Sequence, residues 1–147
     1  MGLSSGALGA VAVVAAVWLI ALSGYDLRLR RLPNWLTVPG AVLILVGATL
    51  AGRGAAALAG AAALSALYLV VHLVSPRSLG GGDVKLAVGL GALTGMFGAD
   101  VWWLAALGAP LLTGVVALGA ALRGATTVPH GPSMCVASAV AVGLVLL

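Results

Sequence analysis

Six apolar stretches joined by short loops constrain this chain more than any other feature. They run roughly over residues 5–24, 35–52, 55–74, 84–99, 101–122 and 130–147. A membrane-spanning helix needs about 20 mostly apolar residues, each rising about 1.5 Å. Each stretch meets that template with modest trimming. Backbone within lipid must satisfy its own hydrogen bonds, so these stretches are expected to be helical. Composition agrees. Hydrophobic residues make up 63% of the 147 and charged residues 7%, and the mean hydropathy is +1.24. Soluble domains carry about a quarter charged residues. The expected fold class is an all-α polytopic membrane protein with about six transmembrane helices, forming a single transmembrane domain over residues 1–147. The fourth stretch is short and glycine-rich (Gly89, Gly91, Gly95, Gly98). It is expected to be tilted or packed closely on a neighbour.

Residues 7–22 imitate the apolar core of a secretory signal, with Ala21-Leu22-Ser23 as a cleavage-like site. The positive cluster follows this run instead of preceding it, which is the wrong order for a cleaved signal. A retained first helix is expected. Positive charge then orients the bundle. The first loop holds Arg28, Arg30 and Arg31, the third Arg77 with Lys85 at its edge, and the fifth Arg123. The second loop holds only Arg53, and the fourth has no Lys or Arg. By the positive-inside rule the odd loops are cytoplasmic and both termini lie outside. The net charge of +4 and the pI near 10.3 are thus read as orientation, and no nucleic-acid partner is implied. Membrane lipid is the expected surrounding.

The lone cysteine, Cys135, rules out an internal disulfide and a multi-cysteine zinc site. The many Gly and Ala residues let membrane helices approach closely, and Gly91 with Gly95 forms one small-xxx-small pair. General helix packing accounts for it.

There are three acids in the chain, Asp26, Asp83 and Asp100, and no Glu. Asp26 and Asp83 fall at the cytoplasmic ends of predicted helices, and Asp100 on the opposite side. Topology pairs the first two. Neighbouring carboxylates cannot both ionise easily, so one keeps a proton and the other serves as base. Such a pair can activate water against a peptide carbonyl and protonate the leaving amine. Ordinary polar residues at helix ends are the alternative reading.

The surroundings of both acids are specific. Asp83 lies in Ser78-Leu79-Gly80-Gly81-Gly82-Asp83-Val84-Lys85-Leu86. Three glycines permit backbone shapes closed to other residues and close approach of a second chain. A phosphate cradle is excluded, because no Gly-Lys-Ser/Thr follows and no strand precedes. A plain flexible loop remains the alternative. Asp26 opens Asp26-Leu27-Arg28-Leu29-Arg30-Arg31-Leu32-Pro33-Asn34-Trp35. Pro33 holds Leu32 extended and ends any continuing helix. Asn34 is expected as N-cap of the second span, and Trp35 suits the membrane interface.

Together these runs resemble the type IV prepilin peptidase family, the bacterial branch of the GxGD aspartic proteases. Asp26-Leu27-Arg28 leading to Leu32-Pro33-Asn34 is similar to the family's Asp-x-Arg/Lys stretch before Ile/Leu-Pro-Asn/Asp. Gly80-Gly81-Gly82-Asp83-Val84-Lys85-Leu86 resembles the GxGD signature followed by Val/Ile-Lys-Leu. Val128-Pro129-His130-Gly131-Pro132 is similar to a Pro-Phe-Gly-Pro element opening the last helix. His130 replaces the usual aromatic; it is read as an interfacial spacer, with a titratable role as the alternative.

The resemblance implies an aspartic endopeptidase with Asp26 and Asp83 as the catalytic pair. Gly80, Gly81 and Gly82 would shape the second motif, with Lys85, Arg28, Pro33 and Asn34 as further site residues. It also implies prepilin or pseudopilin substrates, cut at the cytoplasmic face of a bacterial plasma membrane. Longer relatives carry a cysteine-bearing N-terminal region associated with N-methylation. This chain starts in an apolar stretch and is expected to be a peptidase-only form, so neither zinc nor another cofactor is implied. Two other classes fit the composition. One is a small transporter component using the two acids for ion coupling. The other is a non-catalytic pilus or secretion assembly protein.

Overall fold

The computed structural model describes residues 5–77 and 79–147, with side chains from Val13 onward. Ser78, at the head of the glycine run, and the first four residues lie outside it. The described chain forms six helices: α1 (Ser5–Leu29), α2 (Asn34–Leu50), α3 (Gly54–Val74), α4 (Gly81–Gly95), α5 (Ala99–Leu122) and α6 (Gly131–Leu146). Each matches one expected stretch. The largest departures in boundary are the end of α1, at Leu29 instead of 24, and the two ends of α4, at Gly81 and Gly95 instead of 84 and 99.

The first helix runs on past Asp26 to Leu29. It stops where Arg30 adopts φ +50°, a left-handed conformation that few side-chain-bearing residues take. Pro33 occupies the cap position of α2 with φ −70° and ψ 137°, and no side chain caps that end. Asn34 is therefore the first helical residue and not the N-cap expected of it. The cap carbonyl belongs to Pro33, which accepts the N–H of Thr37 at 3.0 Å and the Thr37 hydroxyl at 3.2 Å. At the second motif α4 begins at Gly81, which puts Gly81, Gly82 and Asp83 inside its first turn.

The short fourth helix is the centre of the bundle. It packs against α2, α3, α5 and α6, and every residue from Gly89 to Gly95 is buried. Its closest neighbour is α3. A Cβ built on Gly60 would strike the Gly91 carbonyl and come within 2.8 Å of the Gly95 Cα. One on Gly95 would lie 2.8 Å from the Ala56 carbonyl. The small-xxx-small pair is thus one side of a backbone-to-backbone contact, as helices without side chains between them allow. Trp102 of α5 donates to the Gly60 carbonyl at 3.1 Å and ties α5 to the same spot.

Loops alternate between the two ends. The connections α1–α2, α3–α4 and α5–α6 gather at one end, where Arg30 donates to the Thr127 hydroxyl at 2.5 Å and Lys85 Nζ to Asn34 Oδ1 at 2.9 Å. At the other end Arg53 reaches the Met96 carbonyl at 3.2 Å. The outer surface is apolar: Leu43 and Leu111 are each 70% exposed and Val115 69%. A water-soluble monomer rarely exposes so continuous an apolar surface. Among the described residues, α3 and α5 are long and apolar enough to cross a membrane, and α2 and α6 are shorter apolar helices.

Candidate active site

At the end where the odd connections gather, a cavity of about 630 Å³ opens between the α1–α2 turn and the start of α4. Asp26 and Asp83 both line it, and both are buried. Local sequence places each one. Asp26 lies on the last full turn of α1, held there because Arg30 and Pro33 end the helix just beyond it. Asp83 is in the first turn of α4, where the helix's partial positive charge favours an anion.

The two carboxyls have different surroundings. Burial pushes Asp26 above the ordinary carboxylate value. The Gly131 N–H, which donates to its Oδ2 at 2.9 Å, and the Arg30 guanidinium pull it back down. Asp83 is pushed from 3.8 up to about 6, first by burial and then by the negative charge of Asp26, with a backbone hydrogen bond from Gly80 opposing. The effect of Asp26 on Asp83 is that expected where two carboxyls share one cavity. Such a pair holds one proton between its members up to about pH 6 and can donate and accept in the same reaction.

Most of the other expected site residues converge here. Pro33, Asn34, Gly80, Gly81, Gly82 and Lys85 line the cavity. Lys85 and Asn34 join the two motifs directly through their hydrogen bond. The glycines serve space more than unusual backbone. Gly80 has φ −74° and ψ 155°, open to any residue. A Cβ on Gly81 would meet nothing within 4 Å, and one on Gly80 would reach only the Asp83 carboxylate at 4.0 Å. The run therefore leaves the wall beside Asp83 bare.

Arg28 is exposed and lies off the cavity, which Arg30 and Arg31 line instead. The reason is helical phase. With α1 continuing to Leu29, a residue two positions after Asp26 faces away, while one four positions on returns to the same side. Asp100 is exposed at the start of α5, at the opposite end.

The third motif places a glycine against Asp26, one with no side-chain chemistry to announce it. Gly131 is buried, and a Cβ there would collide with the Asp26 carboxylate. Only a glycine lets this N–H sit against that oxygen. His130, at the N-terminal end of α6, is bonded at both ring nitrogens. Its Nε2 pairs with the Tyr68 hydroxyl at 2.9 Å and its Nδ1 with the Thr113 hydroxyl at 2.5 Å. The nearest available signal for Gly131 was its place between His130 and Pro132 in the family-like element.

The model of the type IV leader peptidase family matches residues 13–147. The chain is 33% identical over 134 residues to a prepilin leader peptidase/N-methyltransferase of Xanthomonas campestris pv. campestris, a match covering 86% of this chain and 47% of that protein. The chain thus spans about half the length of the curated relative it matches. No solved structure matches it. On the extent of the family match, with the relative beside it, this chain belongs to the type IV leader peptidase family.

Proposed function

We propose that this chain is an integral membrane aspartic endopeptidase that removes the leader from prepilin or pseudopilin substrates, with Asp26 and Asp83 as its catalytic pair. The observation that carries this reading is that two buried carboxyls open onto one cavity, where the negative charge of Asp26 opposes the ionisation of Asp83. In the reaction, the ionised member takes a proton from water as the water oxygen bonds to the peptide carbonyl carbon. The protonated member gives its proton to the carbonyl oxygen. Collapse of the adduct breaks the C–N bond. The first carboxyl passes its proton to the departing nitrogen, and the second recovers one from the adduct hydroxyl.

A peptide bond inside a helix is protected by its own hydrogen bonding, so a site at a helix end needs less unwinding. The bare wall of Gly80, Gly81 and Gly82 beside Asp83 suits an extended backbone. The bundle crosses the membrane six times, as one unit. The odd loops and the cavity face the cytoplasm, both termini face outward, and lipid covers the apolar exterior. Family membership and the apolar surface support this arrangement.

The test is co-expression with a matched prepilin, following leader removal by the shift in substrate size. Asp26→Ala and Asp83→Ala should each abolish processing while the protein stays inserted. Normal processing by the Asp83→Ala variant would sink the mechanism.

A further inference from the structure

The bond between Gly131 and Asp26 is the least secured part of the site as described so far. It depends on where one backbone N–H points, at the junction between a loop and α6. Residues 123–130 form that loop, and Ala125, Thr126 and Thr127 in it are exposed. The residue next to Gly131 supplies the missing restraint. His130 is held at both ring nitrogens, by Tyr68 from α3 and by Thr113 from α5. Both partners are hydroxyls, which donate or accept as required, so either neutral ring tautomer satisfies all three groups. The ring also lies 5.6 Å from the Tyr68 ring, centroid to centroid. Two helices, α3 and α5, thus fix the residue that precedes the N–H on Asp26.

We propose that His130 is a positioning residue, whose ring, clamped by Tyr68 and Thr113, fixes the Gly131 N–H on Asp26 and so keeps Asp26 as the ionised carboxylate of the pair. Asp83 then holds the proton and delivers it to the substrate carbonyl. This rests on the catalytic pair proposed above. The charged and titratable groups around Asp26 are consistent with it. Arg30 follows on the same side of its own helix end, Asp83 faces it from α4, and Cys135 lies near both acids from α6. Lys85 shares the cavity and bonds to Asn34, and Tyr68 stands within electrostatic range of Asp83. In this set, the two groups that favour a charged Asp26 are Arg30 and the Gly131 N–H.

The experiment is the pH profile of kcat/KM for leader cleavage by the full chain in detergent, with a matched prepilin as substrate. That profile reports the acid and base of the free enzyme. His130→Phe keeps a ring and removes both nitrogens, while Tyr68→Phe with Thr113→Val removes both partners. Each should lower kcat/KM and move the acid limb up by about one pH unit, the size of one lost N–H bond to a carboxylate. Combining the two sets should move the limb no further. His130→Gln, which keeps a donor and an acceptor, should recover part of the shift. Should His130→Phe fail to insert, the Tyr68→Phe/Thr113→Val chain carries the same reading. An acid limb that stays in place in these folded variants would overturn the proposal. Asp26→Asn distinguishes the two claims: retained cleavage removes the catalytic pair itself, whereas its loss alongside an unmoved acid limb removes only the clamp.

Discussion

Asp83 shows at the residue scale how a proposed catalytic group is held at the expense of stability. Its carboxyl rises from 3.8 to about 6 on burial beside Asp26. Between those values the folded protein keeps a proton that the unfolded chain has lost. Its contribution is therefore fully present below about pH 3.8, falls as pH rises towards 6, and stays lost above. Asp83→Asn removes the charge that burial penalises. The variant should be more heat-stable than the parent at pH 7 to 8, by at most about 3 kcal/mol for a shift of this size. The gain should vanish towards pH 4, and cleavage should be lost throughout. Thermal unfolding in detergent across that pH range measures it, and a variant no more stable at pH 8 than at pH 4 contradicts it. The acids were legible in sequence because so few are present in an apolar chain. Arg28 and Asn34 were not, since their positions turn on where one helix stops and the next starts: five residues of helix beyond 24 put Arg28 off the cavity, and Pro33 takes the cap from Asn34, freeing it for Lys85. Gly131 was hidden because its contribution is an N–H and an absent Cβ.

Among the elements, α4 gains meaning only in three dimensions. Its sequence is short and rich in glycine, which weakens it as a span. In the bundle those same glycines put it at the centre, where protein instead of lipid surrounds it. The six stretches could be read from hydropathy because lipid demands a uniform apolar run. Which stretch is central could not, since the partner surface on α3 is itself made of Ala and Gly that look alike at every position. Distances separate them. A Cβ on Gly60 would run into the backbone of Gly91 and Gly95, whereas one on Gly119 of α5 meets nothing within 4 Å. Gly60→Ala should therefore part α3 from α4 and lower the melting temperature. Gly119→Ala should leave it unchanged or raise it, since alanine is favoured over glycine in helices by about 1 kcal/mol. Equal melting temperatures for the two variants in detergent would refute this reading of the α3–α4 contact.

Over the whole molecule, charge and chemistry fall at the same end. Of the seven Lys and Arg residues, Arg53 alone belongs to the end away from the cavity, which also carries Asp100. The other six flank the end where Asp26 and Asp83 open. An assembly inserted by the positive-inside rule has no freedom to orient its site independently, because the same loops carry both. The proposed cytoplasmic site and the proposed topology therefore stand or fall together. Single cysteines introduced at Arg31 or Arg77 and at Arg53 or Asp100 make the test, since the native Cys135 is only 2% exposed. A membrane-impermeant thiol reagent added to intact spheroplasts should label positions 53 and 100, and reach 31 and 77 only after lysis. The reverse pattern would turn the cavity outward, away from the cytoplasmic face at which the proposed substrate is cut. Leader cleavage would then need the substrate to cross first, and the peptidase reading would lose its geometric basis even with both aspartates in place.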